Sequence, residues 1–122
     1  MPFRGLVVDD NQRFLEAARH SLERQGLDAV DTAPNIDSAL EAVATGRPDV
    51  VLVDVSLGPE SGFDLVHQLA ERFPHLTGRI IMISTRAEED YAELMADTPA
   101  AGFLGKSALS VQAIRTLLPD LP

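Results

Sequence analysis

The sequence predicts an α/β domain, a parallel β-sheet with helices packed on both faces. Short, continuous apolar runs rich in β-branched residues recur at Leu6-Val7-Val8, Val50-Val51-Leu52-Val53 and Ile80-Ile81-Met82-Ile83. They are too short for buried helices and fit strands covered on both sides. Between them, apolar residues return every three or four positions, so strand and helix alternate along the chain, the pattern of parallel strands joined by helical crossovers. In such a sheet all strands end on one side, and the residues that terminate them meet there however far apart they lie in sequence.

The elements follow in order. After the first strand, Asn11-Gln12-Arg13-Phe14-Leu15-Glu16 opens a helix that repeats Phe14, Leu15, Ala18 and Leu22 and stops at Gly26. Asp28 to Ala33 is a weaker strand, interrupted by charge and closed by Pro34, as at a sheet edge. Asn35 is placed to cap a second helix through about Ala44, with Gly46-Arg47-Pro48 punctuating its end. After the third strand, Leu57-Gly58-Pro59-Glu60-Ser61-Gly62 reads as a flexible, turn-rich loop. A third helix carries Phe63, Leu65, Val66, Leu69 and Phe73 and is stopped by Pro74. The fourth helix, from Glu88 to about Ala96, is acidic and poor in apolar residues, hence the least firmly packed. Ala101-Gly102-Phe103-Leu104 supplies a fifth strand and Ser110 to Leu118 the last helix. Residues 1–118 read as one domain, with 119–122 (Pro119-Asp120-Leu121-Pro122) as a C-terminal tail or the start of a linker.

Composition narrows the function. A chain of 122 residues fits one domain that buries roughly two-thirds of its unfolded surface. Cysteine is absent, which removes thiol chemistry and any sign of an oxidising compartment. The start, Met1-Pro2-Phe3-Arg4-Gly5, runs straight into a strand, and no apolar stretch has the length of a signal peptide or membrane span; the expected location is the cytoplasm. A net charge of −9 disfavours nucleic acid or anionic membrane as partners of this segment and suits metal cations or basic partners.

Asp9-Asp10 closes the first strand, Asp54 the third and Ser84 the fourth, and Lys106 follows the fifth. All would gather at one sheet edge as an acid pocket for a metal and a phosphoryl group. Three clustered carboxylates repel one another unless a cation relieves them, and magnesium is satisfied by one or two carboxylates, a carbonyl and a phosphate oxygen. An Asp beside such a metal can attack phosphorus and form an aspartyl phosphate, while a Lys and a hydroxyl stabilise the transferring oxygens. Taken singly, each residue has a plainer reading: Asp9-Asp10 as helix caps, Asp54 as a solvated acid, Lys106 as a surface lysine, Ser84 as a turn residue. Their joint placement at the ends of four strands favours the site. His20, His67 and His75 have no metal-ligand spacing and read as surface or satisfied histidines.

With these residues in place, the chain resembles the receiver domain of bacterial response regulators, the phosphoacceptor part of two-component phosphorelay signalling, over nearly its whole length. The matching stretches are Val7-Val8-Asp9-Asp10-Asn11, Val51-Leu52-Val53-Asp54 with Gly62 eight residues on, Ile83-Ser84, and Ala101-Gly102-Phe103-Leu104-Gly105-Lys106. The resemblance implies a flavodoxin-like doubly wound sheet of five parallel strands in the order 2-1-3-4-5 with five helices. It also implies that Asp54 accepts a phosphoryl group from a sensor histidine kinase or phosphotransfer protein. Mg2+, with Mn2+ as a possible substitute, would be ligated by Asp10, Asp54 and the backbone carbonyl of Ser56, with Asp9 acting through water. Lys106 would pair with the phosphoryl oxygens, and Ser84 and Phe103 would be the switch hydroxyl and switch aromatic. New contacts from the phosphate to Ser84 and Lys106 would shift the population toward one arrangement of the face built from the fourth helix, fifth strand and fifth helix. Self-phosphorylation and self-dephosphorylation at Asp54 would be the whole of its chemistry, with no turned-over substrate. The protein would be a monomer or a phosphorylation-dependent dimer, acting on a downstream output domain or protein. Phe14, Ala17 and Ala18 lie on the part of the first helix where the family docks its kinases.

Several positions depart from the family pattern. Ser107 stands where many relatives have a proline after a cis peptide, which leaves the Lys106-Ser107 bond trans or strained. Thr85 replaces a small Ala or Gly beside the switch hydroxyl; its bulk restricts access of phosphodonor or water and implies slow dephosphorylation. Phe103 lacks the hydroxyl of the frequent Tyr, and Pro59 lies one place later than the usual loop proline, leaving a flexible segment behind Asp54. Two alternatives to a phosphorylated switch stay open: an N-terminal receiver fragment of a helix-turn-helix transcriptional regulator, and a receiver-fold binding module independent of phosphorylation. A hydrolase turning over an aspartyl intermediate fits less well, because such enzymes need a further acid where Ser56 stands.

Overall fold

A computed structural model describes residues 3–120. Met1-Pro2 at the start and Leu121-Pro122 in the expected tail lie outside the described residues. Five strands, β1 (Arg4–Val8), β2 (Ala29–Ala33), β3 (Val50–Asp54), β4 (Ile80–Ser84) and β5 (Gly102–Gly105), form one sheet in the order β2-β1-β3-β4-β5, every pair parallel. The helices are α1 (Gln12–Arg24), α2 (Ile36–Gly46), α3 (Gly62–Arg72), α4 (Ala92–Asp97) and α5 (Val111–Leu117). This is the expected doubly wound, flavodoxin-like arrangement.

The apolar runs are continuous because both faces are buried. Leu6, Val8, Val51, Val53, Ile80 and Met82 point into a core closed by α2 and α3. Val7, Leu52, Ile81 and Ile83, on the other face, pack against Leu15, Ala18 and Leu22 of α1 and Val111 and Ile114 of α5. Two interleaved period-2 patterns therefore add up to an uninterrupted hydrophobic string.

Register fixes what meets at the edge. Val8 lies beside Val53, Asp54 beside Ile83, and Ser84 beside Gly105. Asp9 thus emerges next to Asp54, and Lys106 emerges one step beyond the partner of Ser84. The chain winds outward from β1 to β2 and then crosses back to β3, so the reversal point of the topology falls between β1 and β3. Open α/β sheets bind ligands in the crevice at that point, at the carboxyl ends of the strands.

Three local expectations are refined. The stretch behind Asp54 is a small antiparallel hairpin, Ser56–Leu57 against Glu60–Ser61, rather than an irregular loop. Gly58 takes φ of +65° as the first of its two turn residues, a position that two-residue hairpins commonly give to glycine. The Glu60 carboxylate then accepts a bond from the Ile36 amide at the start of α2, tying the hairpin to the body. The expected fourth helix is divided into a 3-10 turn, Glu88–Tyr91, and the short α4, and neither piece has a buried residue. All described peptides are trans, Lys106-Ser107 included. Asn35 does cap α2, with its side chain accepting from the Ser38 amide and the Ser38 hydroxyl accepting from the Asn35 amide.

Candidate functional site

The loop after β1 supplies two carboxylates in unlike settings. Asp9 is fully buried, its Oδ1 accepting from the Asn11 amide at 2.9 Å, while Asp10 is exposed. Neither caps α1. Asn11 does, accepting from the Phe14 amide at 3.2 Å, so both acids keep oxygens free for other partners.

Asp54 ends β3 and is 8% exposed. Its Oδ1 receives the Ser56 amide at 3.4 Å, and its backbone is overlaid by the start of α3. The Gly62 amide donates to the Val55 carbonyl at 2.8 Å, and a Cβ at Gly62 would lie 1.9 Å from the Asp54 carbonyl oxygen. Only glycine permits that approach, which accounts for Gly62 at its fixed distance from Asp54. The hairpin tip closes the other side: a Cβ at Gly58 would stand 3.4 Å from Asp10 Oδ2.

One carboxylate oxygen from each of Asp9, Asp10 and Asp54 lies within 4.8 Å of the others. The counter-charge is Lys106, whose Nζ is 2.5 Å from Asp9 Oδ2 and 3.3 Å from Asp54 Oδ2, with its side chain 15% exposed. Asp9 Oδ2 has no hydrogen-bond partner of regular geometry, so the ammonium meets it as a charge and not as an aligned donor. The same ammonium sits 4.4 Å from the Phe14 ring centroid, a cation–π contact that binds α1 to the site. Burial, then the Asp9 charge, pushes the Asp54 carboxyl from an ordinary 3.8 up to about 6, against the lowering effects of Lys106 and the Ser56 amide. Burial disfavours the Lys106 charge, but its contact with Asp9 and its attraction to Asp54 and Asp9 outweigh this and raise its pKa.

The donor set suits a hard divalent cation: three oxygen ligands, three negative charges against one positive, and a buried carboxylate oxygen without an aligned donor. The sequence-predicted residues that converge are Asp9, Asp10, Asp54 and Lys106. Ser56 lies two residues on, at the start of the hairpin. Ser84, 4% exposed at the end of β4, accepts from the Arg86 amide at 3.0 Å and lies 3.4 Å from the Tyr91 hydroxyl. Thr85 follows it on the exposed rim. Phe103, half-buried on β5, packs at a tilt against Tyr91 with ring centroids 6.1 Å apart, and Tyr91 packs in turn at a tilt against Phe63 at 6.3 Å. Sequence reasoning missed Tyr91, as well as the contact of Phe14 with Lys106. The acidic run Glu88, Glu89 and Asp90 and the three histidines are exposed and away from the cluster.

Comparison with known proteins adds family evidence. Residues 6–118 match the model of the response regulator receiver domain. The probable transcriptional regulatory protein TcrX of Mycobacterium tuberculosis is 35% identical over 95 residues, covering 78% of this chain and 40% of TcrX. The DNA-binding transcriptional activator EvgA of Escherichia coli K12 is 28% identical over 102 residues, covering 84% of this chain and 49% of EvgA. The chain thus spans about half the length, or less, of these curated relatives. Among solved structures, a response regulator of Burkholderia pseudomallei with a phosphorylated aspartic acid, a calcium ion and citrate is 30% identical with a TM-score of 0.78, covering 98% of this chain and 66% of that one.

Proposed function

Because this chain belongs to the response regulator receiver family, we propose that Asp54 is its phosphoacceptor, taking a phosphoryl group from a phosphohistidine of a sensor histidine kinase or phosphotransfer protein. One observation carries the assignment. Asp54, held almost out of solvent, shares the Lys106 ammonium with Asp9 while all three carboxylates converge. A carboxylate raised to about 6 is ionised at neutral pH yet more basic, and so more nucleophilic, than an exposed Asp. Its oxygen forms the new bond to phosphorus as the P–N bond of the donor breaks and the imidazole leaves with a proton. Lys106, already 3.3 Å from Asp54, is placed to hold a phosphoryl oxygen, and Ser84 offers a hydroxyl from the neighbouring strand end.

Asp10, Asp54 and the Ser56 carbonyl would hold Mg2+, with Mn2+ as a substitute and Asp9 acting through water. Bound there, the cation would neutralise the carboxylates and the charge that develops on the transferring oxygens. Phe103 would report the state of Ser84 to the face made by α4, β5 and α5. The chemistry is confined to Asp54 itself, with no turned-over substrate. Residues 1–118 act as the receiver unit, 119–122 being a tail or the start of a linker, and the protein works in the cytoplasm as a monomer or phosphorylation-dependent dimer. Among the described residues no helix is long and apolar enough to cross a membrane. The names of EvgA and TcrX favour one output over others, a DNA-binding regulator of which this chain supplies the receiver and not the nucleic-acid contact. A constitutive binding module is disfavoured by the intact acid and lysine set.

The test is intact mass after incubation with magnesium and acetyl phosphate, beside Asp54→Asn and a magnesium-free sample. Gain of one phosphoryl group, lost in both controls, is expected. No gain under any condition, with kinase included, would make the constitutive module the better reading.

A further inference from the structure

Tyr91 lies outside all the stretches that define the site, yet its hydroxyl reaches Ser84. It ends the 3-10 turn before α4, and its ring packs at tilted angles between Phe63 on α3 and Phe103 on β5. Its oxygen is 3.4 Å from Ser84 Oγ, long for a hydroxyl pair, while the Arg86 amide donates to the same Ser84 oxygen at 3.0 Å. A serine hydroxyl has one proton and two lone pairs. With Arg86 on one lone pair, the Ser84 proton is the group left to give, and where it goes to the Tyr91 oxygen it reaches a phosphoryl oxygen on Asp54 only by leaving Tyr91. Phe103 has no hydroxyl, so Tyr91, the chain's single tyrosine, supplies the only phenol in this aromatic group.

We propose that Tyr91 is a positioning residue for Ser84: its hydroxyl holds Ser84 in the resting orientation, and a phosphoryl group on Asp54 competes with Tyr91 for that hydroxyl. The inference rests on the phosphoacceptor reading above and adds a component to it. It also gives the signal a physical route. The turn and α4 contain no buried residue and are attached to the core chiefly through the partly buried Tyr91 and Met95. A segment so lightly anchored is sensitive to the loss of one contact at one of its anchors.

The chain has no tryptophan and one tyrosine, so its ultraviolet emission, excited beyond the phenylalanine band, reports on Tyr91 alone. The experiment follows that emission in the full chain as beryllofluoride, a phosphoryl analogue, is added with magnesium, alongside intact mass after acetyl phosphate. The native protein is expected to change its emission, and Ser84→Ala to show no such change. Tyr91→Phe keeps the ring contacts and removes only the hydroxyl. It is expected to bind beryllofluoride roughly threefold more tightly by fluorine NMR, the effect of losing one weak competing hydrogen bond. Phosphorylation of the native protein with emission unchanged, or changed equally in Ser84→Ala, or with Tyr91→Phe matching native affinity, overturns the role of Tyr91 and leaves the phosphoacceptor standing. Absence of both mass gain and beryllofluoride binding overturns the phosphoacceptor, and Tyr91's role falls with it.

Discussion

Replacing Asp54 by Asn should make the metal-free protein more stable, not less. The folded carboxyl holds its proton up to about pH 6, against an ordinary 3.8, chiefly because it is buried and faces Asp9. Between those values the folded state binds more protons than the unfolded chain, so stability falls as pH rises through the window and is level above it. The full interval corresponds to about 3 kcal/mol lost once both states are ionised, and to about half of that at pH 5. Asn has nearly the same shape, its oxygen can keep the Ser56 amide, and Lys106 retains Asp9 at 2.5 Å. In chelator at pH 7.5, Asp54→Asn should therefore gain up to about 3 kcal/mol, a rise of roughly 1–2 M in the urea midpoint for a domain of this size. At pH 5 the gain should be about halved. Magnesium should narrow the gap, because a ligand at ten times its dissociation constant stabilises the state that binds it by about 1.4 kcal/mol, and the native acid set binds better than the variant. An Asn variant no more stable than native in chelator at pH 7.5, or an advantage equal at both pH values, would refute the electrostatic reasoning.

Three further outcomes are expected. Gly62→Ala drives a methyl into the Asp54 carbonyl oxygen, from which a Cβ would stand 1.9 Å away, and should cost about 3 kcal/mol or more in urea unfolding; a loss under about 1 kcal/mol would contradict the close approach. Phe14→Leu and Lys106→Met, measured singly and together, should show a coupling of about 0.5–1 kcal/mol from the cation–π contact, and strict additivity would remove it from the account. Thr85→Ala should shorten the life of phosphorylated protein several-fold as followed by decay of intact mass, since Thr85 stands on the exposed rim beside Ser84; equal lifetimes would sink the idea.

Different physical signals explain what could be read beforehand. The three apolar runs were legible because burial on both faces leaves no polar residue in them, and the acids were legible because each terminates such a run. Parallel pairing then brings strand ends together without further information, which is why Asp9, Asp54 and Lys106 converge as expected. The hairpin behind Asp54 was not legible, since two residues per strand are too few for an alternation to appear. Nor was the break at Tyr91, because a segment with no buried residue carries no enforced period. The choice of Asn11 over Asp9 or Asp10 as the α1 cap lies among three consecutive residues of similar capping chemistry, and only backbone geometry decides it. The contact of Phe14 with Lys106 joins elements far apart in sequence, and that of Tyr91 with Ser84, though only seven residues apart, depends on how the 3-10 turn folds back over the end of β4; neither leaves a periodic signal.

The resting site is therefore left electrostatically unfinished by the fold itself. Asp9, Asp10 and Asp54 place three negative charges around one ammonium, two of them on nearly inaccessible side chains. Burial, then the Asp9 charge, keeps the Asp54 carboxyl basic by more than Lys106 and the Ser56 amide lower it. A structure selected only for stability would remove one of these acids. Keeping all three makes sense where a divalent cation completes the charge before an anionic donor arrives, with Lys106 then free to move from carboxylate to phosphoryl oxygen over a few ångströms. Under the proposed function a bound cation would recover the stability that the clustered acids cost, and the same imbalance would make Asp54 the more nucleophilic carboxylate. Ser84, neutral and already bonded to Arg86, adds no charge to this balance. In the proposed switch its contribution would be directional, carrying a change at Asp54 to the lightly anchored α4 segment.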